Sequence, residues 1–261
     1  MVNAIKLGTV AAIFVAALML SVPLAIILQS EDEIDRETLY QFNTLDAFLD
    51  GSYDGVMPYS EIFLRGDTGL GTFHAVDGEM IAFDGRYYQI KWDGTIVNVT
   101  GDMTAPLVMV TWFDTDAEQD FSGMNMSVFR SSLDTMRCSD NYIYVFVAKG
   151  ELSMVKTRSF APQETPYKPL ANVSAINFES QDVNGTLVIM WFPGSFSTLN
   201  LDDYHMHFLA DDYSIGGHVT DLHITSVNVA MDMTPGYQIE LPLTDQYREW
   251  DAQGSDVAIE R

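Results

Sequence analysis

The chain has 261 residues, enough for one large domain or two modest ones with a sizeable core. It carries 37 acidic residues against 13 Lys and Arg, which gives a formal net charge of −24. Nucleic-acid binding needs clustered cations, so this balance excludes it, and it also disfavours electrostatic docking on anionic lipid. The single cysteine, Cys138, excludes an intrachain disulfide framework and is expected to be a small, partly buried apolar residue.

The first 30 residues predict a membrane anchor or a signal segment, separate from the fold. Residues 7–29 carry no charge and are almost wholly apolar, so they are long enough to cross a membrane as one hydrophobic N-terminal helix. Lys6 precedes this run, and an acidic linker, residues 31–37, follows it. By the positive-inside tendency we expect a membrane-anchored protein with its body outside the cytoplasm, or an exported protein if the segment is cleaved.

The rest of the chain predicts an α+β fold in two β-rich parts that divide after residue 165. In the N-terminal α+β half, residues 38–165, we expect a mixed sheet and a first helix. The apolar positions between Leu39 and Leu49 form one stripe, and Gly51 ends it. Within residues 73–99, Asp-Gly pairs are strong hairpin signals and predict a β-meander.

Strand patterns become denser from residue 142 onwards. Residues 142–160 predict a long hairpin that turns at Lys149-Gly150. The C-terminal β-rich half, residues 166–261, predicts a smaller antiparallel sheet or barrel, with strands that include residues 204–209 and 218–225. That half also carries the candidate metal site.

Three of the five histidines, His205, His207 and His218, fall within one short window. His-x-His on a strand places both imidazoles on one face, because side chains alternate with a period of two. Asp211-Asp212 and a Gly-Gly pair would turn the chain back and bring His218 beside the first two. Three neutral imidazoles predict an open metal site, for which Zn²⁺ is well suited. The alternative is a half-buried strand that happens to carry histidines.

Five segments of the chain resemble, in the same order, the α-acetolactate decarboxylase family. They are LYQF with TLDA in residues 39–47, GLGTF with DGE in 69–79, VKTRS at 155–159, GTLV at 185–188, and YHxHFLxDD with GGHV in 204–219. The last segment is long and specific. The resemblance extends from about residue 38 to the C-terminus.

This resemblance implies a zinc-dependent carboxy-lyase that converts (S)-2-acetolactate, a 2-hydroxy-3-keto acid, to (R)-acetoin and CO2. It implies that the three histidines hold the metal, and that a metal-stabilised enediolate is protonated by a glutamate. The family's other active-site residues map onto Thr72, Glu79, Arg158 and, for a glutamate of the C-terminal tail, Glu260.

The residue types suit this chemistry. Arg158 offers planar, always-charged donors for a carboxylate or an enediolate oxygen, and the alternative is a surface salt bridge. Glu79 would deliver a proton if it were buried, and the alternative is a solvated residue after a turn. Asp211 and Asp212 are expected either to form the turn or to orient an imidazole as hydrogen-bond partners.

Two other function classes remain open from the sequence. One is a metal-dependent enzyme of another class, such as a hydrolase or an oxygenase on a related β-scaffold. The other is a non-catalytic, membrane-tethered module that binds a small molecule. The expected partners are a small-molecule substrate, no nucleic acid, and a membrane through residues 7–29, and a homodimer is compatible with the sequence.

Overall fold

Fourteen strands and four short α-helices occur in the computed structural model, which describes residues 34–201 and 203–252. The strands are β1 (Thr38–Phe42), β2 (Met57–Pro58), β3 (Thr68–Thr72), β4 (Glu79–Phe83), β5 (Arg86–Ile90), β6 (Ile96–Asn98), β7 (Thr104–Ala105), β8 (Val108–Thr111), β9 (Ala117–Asn125), β10 (Ile143–Phe160), β11 (Ala175–Trp191), β12 (Tyr204–Ala210), β13 (Gly216–Thr234) and β14 (Gly236–Glu240). The helices are α1 (Leu45–Leu49), α2 (Tyr59–Ile62), α3 (Met126–Asp134) and α4 (Asp245–Glu249).

Seven strands form a mixed sheet in the order β14-β1-β8-β3-β4-β5-β6. β14 runs parallel to β1, and the other neighbouring strands are antiparallel. The Asp-Gly signal is confirmed in the turn between β4 and β5, where Asp84 and Gly85 have φ angles of 52° and 72°. Positive φ at both central residues is the requirement of the tight hairpin turn that this dipeptide favours.

Five strands form a separate antiparallel sheet in the order β10-β11-β12-β13-β9. β13 pairs with both β12 and β10, so the strands that carry the histidines have neighbours on each side. The β-rich architecture with few helices, one mixed sheet and one antiparallel sheet confirms the predicted fold class in part. The predicted barrel and the hydrophobic N-terminal helix are not confirmed. The chain changes sheet between β8 and β9 and returns at β14, whereas the domain boundaries at residues 30, 37 and 165 remain predictions.

One continuous strand, β10, replaces the hairpin predicted for residues 142–160. Gly150 has a φ of 152°, but it pairs with Gly185 of β11 on one side and Val227 of β13 on the other. A Cβ atom at Gly150 would collide with the carbonyl oxygen of Ser226. The glycine therefore permits a close approach of two backbones and does not end a strand.

The first predicted helix is also partly wrong. Thr38–Phe42 is the strand β1, because β14 and β8 pair with it on both sides and this long-range pairing overrides the local apolar pattern. The helical turns begin only at Leu45, where the hydroxyl of Thr44 accepts a hydrogen bond from the Ala47 N–H and caps α1.

Two apolar layers hold the sheets in place. Between the two sheets lie buried side chains from both, among them Leu39, Leu70, Ile81, Val145, Val188 and Met190. A second layer lies on the five-stranded sheet, where α3 buries Phe129 and Leu133 against it. The strands that carry the candidate site residues are therefore packed on apolar side chains, which restricts their motion.

The predicted membrane-anchored location is wrong for the residues that the structure describes. No helix among them is long and apolar enough to cross a membrane. The longest, α3, has nine residues, whereas a membrane-spanning helix needs about 20. The apolar run 7–29, for which the hydrophobic N-terminal helix and the orientation were predicted, lies outside the described residues, as do residues 31–33 of the acidic linker.

Candidate metal centre and active site

The strands β12 and β13 bring the three predicted histidines together. His207 pairs directly with His218 across the strands, and His205 lies two residues earlier on the same face of β12. Nε2 of His205 is 3.2 Å from Nε2 of His207 and 3.2 Å from Nδ1 of His218. One ligand nitrogen of each histidine lies within 4.8 Å of the other two, so the three histidines could hold one metal ion.

The distances and charge states of these imidazoles fit a metal ion. Metal–nitrogen bonds of roughly 2.0–2.1 Å in a tetrahedral site place two nitrogens about 3.3 Å apart. Burial lowers the pKa of His205 to about 4 and holds the pKa values of His207 and His218 well below the usual range. The imidazoles are therefore neutral near pH 7, and their free nitrogen lone pairs are available as ligands.

The ring of His207 is oriented by the other sheet. Its Nδ1 donates a hydrogen bond to the carbonyl oxygen of Met80 in β4, at 2.7 Å. Its Nε2 then carries the lone pair, beside the other imidazoles and 3.5 Å from Oε2 of Glu79. Such a partner on the far nitrogen fixes the tautomer of a metal-binding histidine. Asp212 does not supply it, because its carboxylate accepts a hydrogen bond from the Ser214 N–H in the turn.

Thr72 and Glu79 are direct neighbours across β3 and β4, and both side chains are buried. The hydroxyl of Thr72 donates to the carbonyl oxygen of Gly78 at 2.6 Å, which fixes the backbone just before Glu79. Burial raises the pKa of Glu79 to about 8, while the charge of Arg158 acts in the opposite direction. Glu79 is thus a buried carboxyl group and not a solvated residue after a turn.

A cavity of about 340 Å³ lies beside the imidazoles, and both sheets contribute to its wall. Arg158 lines it from β10, where its register partner is His218. The Nε atom of Arg158 is buried and has no hydrogen-bond partner in the described part of the chain. A guanidinium in the wall of a cavity is suited to binding an anionic group.

Two charged residues of the wall were not singled out by the sequence. Arg130 of α3 and Asp203, just before β12, line the cavity and form an ion pair with an N–O distance of 2.9 Å. The sequence could have indicated Arg130, because cations are rare in this chain and the other charged residue of α3 is Asp134. The apolar part of the wall includes Leu45, Phe48, Leu49, Leu107, Leu170 and Leu201. The remaining predicted residue, Glu260, lies outside the described residues.

Comparison with known proteins agrees with the sequence resemblance. A sequence model of the family described as Alpha-acetolactate decarboxylase matches residues 39–253. The chain belongs to this family of carboxy-lyases. The alpha-acetolactate decarboxylase of Methanosarcina mazei is 41% identical over 214 residues, which cover 81% of this chain and 74% of that protein. The Bacillus licheniformis alpha-acetolactate decarboxylase is 32% identical over 235 residues, 89% of this chain and 92% of its own length.

A solved structure of an alpha-acetolactate decarboxylase has the same fold. The crystal structure of the protein from Bacillus subtilis strain 168 matches with a TM-score of 0.82 and 31% sequence identity. The match covers 84% of this chain and 95% of that chain. The family expectation drawn from the sequence segments is therefore confirmed, for both the sequence and the fold.

Proposed function

We propose that this protein decarboxylates (S)-2-acetolactate to (R)-acetoin and CO2, with a Zn²⁺ ion held by His205, His207 and His218. The observation that carries the proposal is the convergence of three neutral imidazoles, a buried carboxyl group and an arginine around one cavity. Family membership supports it, since relatives that match over most of their length are named alpha-acetolactate decarboxylase. Three imidazole ligands with an open fourth position suit zinc.

When bound, the metal ion would supply a Lewis acid that draws electron density from the oxygens next to the departing carboxylate. The substrate has its carboxylate and hydroxyl on one carbon and a ketone on the next. Loss of CO2 leaves the bonding electron pair on the first carbon, and delocalisation onto the ketone oxygen gives an enediolate. The reaction depends mainly on stabilising the negative charge of the enediolate. Fixed charges in a water-poor site are the strongest means of doing so.

The guanidinium of Arg158 is suited to stabilising this negative charge. Arg158 lines the cavity beside the strand position of His218. In the proposed reaction it binds the substrate carboxylate before cleavage, and its positive charge stabilises the enediolate oxygen afterwards. The leucine-rich part of the wall limits the access of water, which strengthens this interaction.

Glu79 is the proposed proton donor. A proton delivered to the carbon that lost CO2, with collapse of the enediolate to a ketone, gives acetoin. Delivery from one fixed side sets the handedness of the product, and Glu79 is fixed by its β4 strand and by the Thr72–Gly78 hydrogen bond. Glu260 is proposed as a second glutamate of the site, on the family resemblance alone.

The direct test is acetoin formation by the purified full-length chain. We expect 2-acetolactate to be converted to (R)-acetoin, seen by chiral chromatography, with release of one CO2 for each acetoin. Activity should disappear after chelation and return with Zn²⁺, and His207→Ala should not be rescued. His223→Ala is the matched control, since His223 is exposed on the same β13 strand. A zinc-loaded protein that does not exceed the spontaneous decarboxylation rate would refute the proposal.

A further inference from the structure

The cavity contains a second cation besides Arg158. Arg130 projects from α3 and lines the same wall as the imidazoles. Its side chain is 37% exposed, so it lies where the cavity meets solvent. An arginine in this position is accessible both from solvent and from the cavity.

The pairing of Arg130 leaves part of its guanidinium unused. Its Nη1 atom donates to Oδ2 of Asp203 at 2.9 Å. Its Nε atom is buried and has no hydrogen-bond partner among residues 34–201 and 203–252. An arginine has five N–H donors in a fixed fork, so one monodentate ion pair holds the group in position without saturating it. The terminal N–H groups that Asp203 does not bind are therefore available to a ligand.

The strongly negative charge of the whole chain means that an anionic ligand needs a local cation to attract it. A protein with a net charge of −24 repels anions at long range. The acidic residue Asp203 also lines the cavity, so without Arg130 an anionic ligand would face this residue with Arg158 as the only cation of the wall. A second guanidinium at the mouth gives an anionic ligand a favourable local potential over the last few ångströms.

We propose that Arg130 is a substrate-binding residue that contacts the carboxylate of the bound anionic substrate from the mouth of the cavity, together with Arg158. Asp203 is a positioning residue that holds the guanidinium towards the cavity. This inference rests on the proposed function for the identity of the substrate, 2-acetolactate. It assigns Arg130 to binding and not to the chemical step, so its loss should affect KM and leave kcat largely unchanged.

The test compares four variants of the zinc-loaded full-length chain. Arg130→Gln and Arg130→Met remove the cation in two different ways, and Asp203→Asn removes only its partner. Arg65→Gln makes the same change in net charge at a position outside the cavity, where Arg65 pairs with Glu240. We expect both Arg130 variants to raise KM for 2-acetolactate about tenfold, the effect of one charge-assisted hydrogen bond. We expect kcat within about twofold of wild type.

A binding measurement separates anion recognition from activity. The probe is 2,3-dihydroxy-2-methylbutanoate, in which the ketone is reduced, so that no carbonyl accepts the electron pair and CO2 is retained. The uncharged comparison is butane-2,3-diol, which lacks the carboxylate. Calorimetry should show about tenfold weaker binding of the acid to both Arg130 variants, with unchanged binding of the diol. Arg65→Gln should bind both probes as wild type does.

Three outcomes would overturn the inference. If Arg65→Gln weakens acid binding as much as the Arg130 variants, the net charge of the protein and not the position of Arg130 accounts for the effect. If acid and diol binding fall together, the cavity itself has been distorted. If kcat falls and KM stays constant, Arg130 acts in the chemical step. A wild-type protein that makes no acetoin would instead refute the proposed function, and selective loss of acid binding in both Arg130 variants would still support anion binding.

Discussion

His207 of β12 lies directly opposite His218 of β13, and on its other side His218 is the register partner of Arg158 in β10. Three neighbouring strands therefore present an imidazole, a second imidazole and a guanidinium at one level of the sheet. A shift of one residue in any strand would turn its side chain to the opposite face. The candidate site thus depends on strand register, which the packed sheet fixes, and not on loop conformation.

The first prediction concerns the metal. We expect wild-type protein to retain about one zinc per chain after dialysis, and His207→Ala to retain less than about a tenth of that, because two imidazoles remain. Zinc at 100 times its dissociation constant should also stabilise the wild-type fold by about 2.7 kcal/mol. Elemental analysis and thermal unfolding with and without zinc measure the two effects.

His223→Ala provides the control for metal binding. His223 is exposed on the same strand as His218, and its register partners are Asn125 and Met154. It should keep the zinc content and the zinc-dependent stabilisation of the wild type. Equal zinc content in His207→Ala and wild type would show that the metal, if bound, is held elsewhere.

The second prediction tests the role proposed for Glu79. Glu79→Gln keeps the shape of the side chain but removes its transferable proton, so we expect kcat to fall by about 10²–10⁴-fold. Zinc content should stay at the wild-type level, since the three imidazoles are unchanged. Steady-state kinetics and elemental analysis on the same preparation separate the two effects. Glu61→Gln, an exposed position on α2, should behave as wild type. A kcat within threefold of wild type in Glu79→Gln would exclude this role.

The third prediction concerns the hydroxyl of Thr72. Thr72→Val keeps the volume but leaves the carbonyl oxygen of Gly78 without its 2.6 Å donor. An unsatisfied buried carbonyl costs about 1–3 kcal/mol, so the urea midpoint should fall accordingly. Thr72→Ser keeps the donor and should lose less than half as much. If the serine and valine variants are equally destabilised, the methyl group and not the hydrogen bond matters.

Whether a feature of the fold or the site could be predicted from the sequence depends on how far apart along the chain the interacting residues lie. The His-x-His spacing and the following turn predicted the grouping of His205, His207 and His218 correctly, because strand alternation and a short hairpin are local rules. The Asp84-Gly85 turn was predicted for the same reason. Family segments supplied Thr72, Glu79 and Arg158, whose shared cavity could not be inferred from local spacing.

Features set by distant segments were missed. Residues 38–42 were predicted as helix, because the pairing with β14 that makes them a strand is not visible in the local sequence. The Tyr40 hydroxyl, for example, donates a hydrogen bond to Glu240, which is 200 residues away. The hydrogen bond from His207 to Met80 joins the two sheets, and its partners are 127 residues apart in the sequence. No local sequence pattern could therefore predict it. Gly150 resembled a turn residue because sequence cannot distinguish a positive φ in a turn from a close contact between strands.

The fourth prediction is a pH dependence of stability that centres on Asp232. This carboxyl group is 3% exposed, and its Oδ2 accepts a hydrogen bond from the Asp114 N–H. Burial is the main cause that raises its pKa to about 7, and the nearby charges of Asp116, Glu37 and Asp114 add to the rise. The folded protein therefore binds this proton more tightly than the unfolded chain, whose carboxyl has the ordinary value of 3.8.

The sign of the effect follows from linkage. Between about pH 4 and pH 7 the folded state holds the proton that the unfolded state has lost, so the contribution of Asp232 to stability falls as the pH rises through that window. Asp232→Asn keeps a hydrogen-bond acceptor and carries no charge. Relative to wild type, we expect it to gain about 2–4 kcal/mol between pH 4 and pH 8, with the whole gain present above pH 7. Urea unfolding at several pH values measures the difference.

Glu164→Gln is the control for Asp232→Asn, because it removes one negative charge from an exposed loop. Its stability should follow the wild-type pH profile with a nearly constant offset, since this substitution leaves Asp232 and its surroundings unchanged. If the Asp232→Asn and wild-type profiles are also parallel, Asp232 ionises without cost in the folded protein. In that case its burial would not be the source of any loss of stability above pH 7.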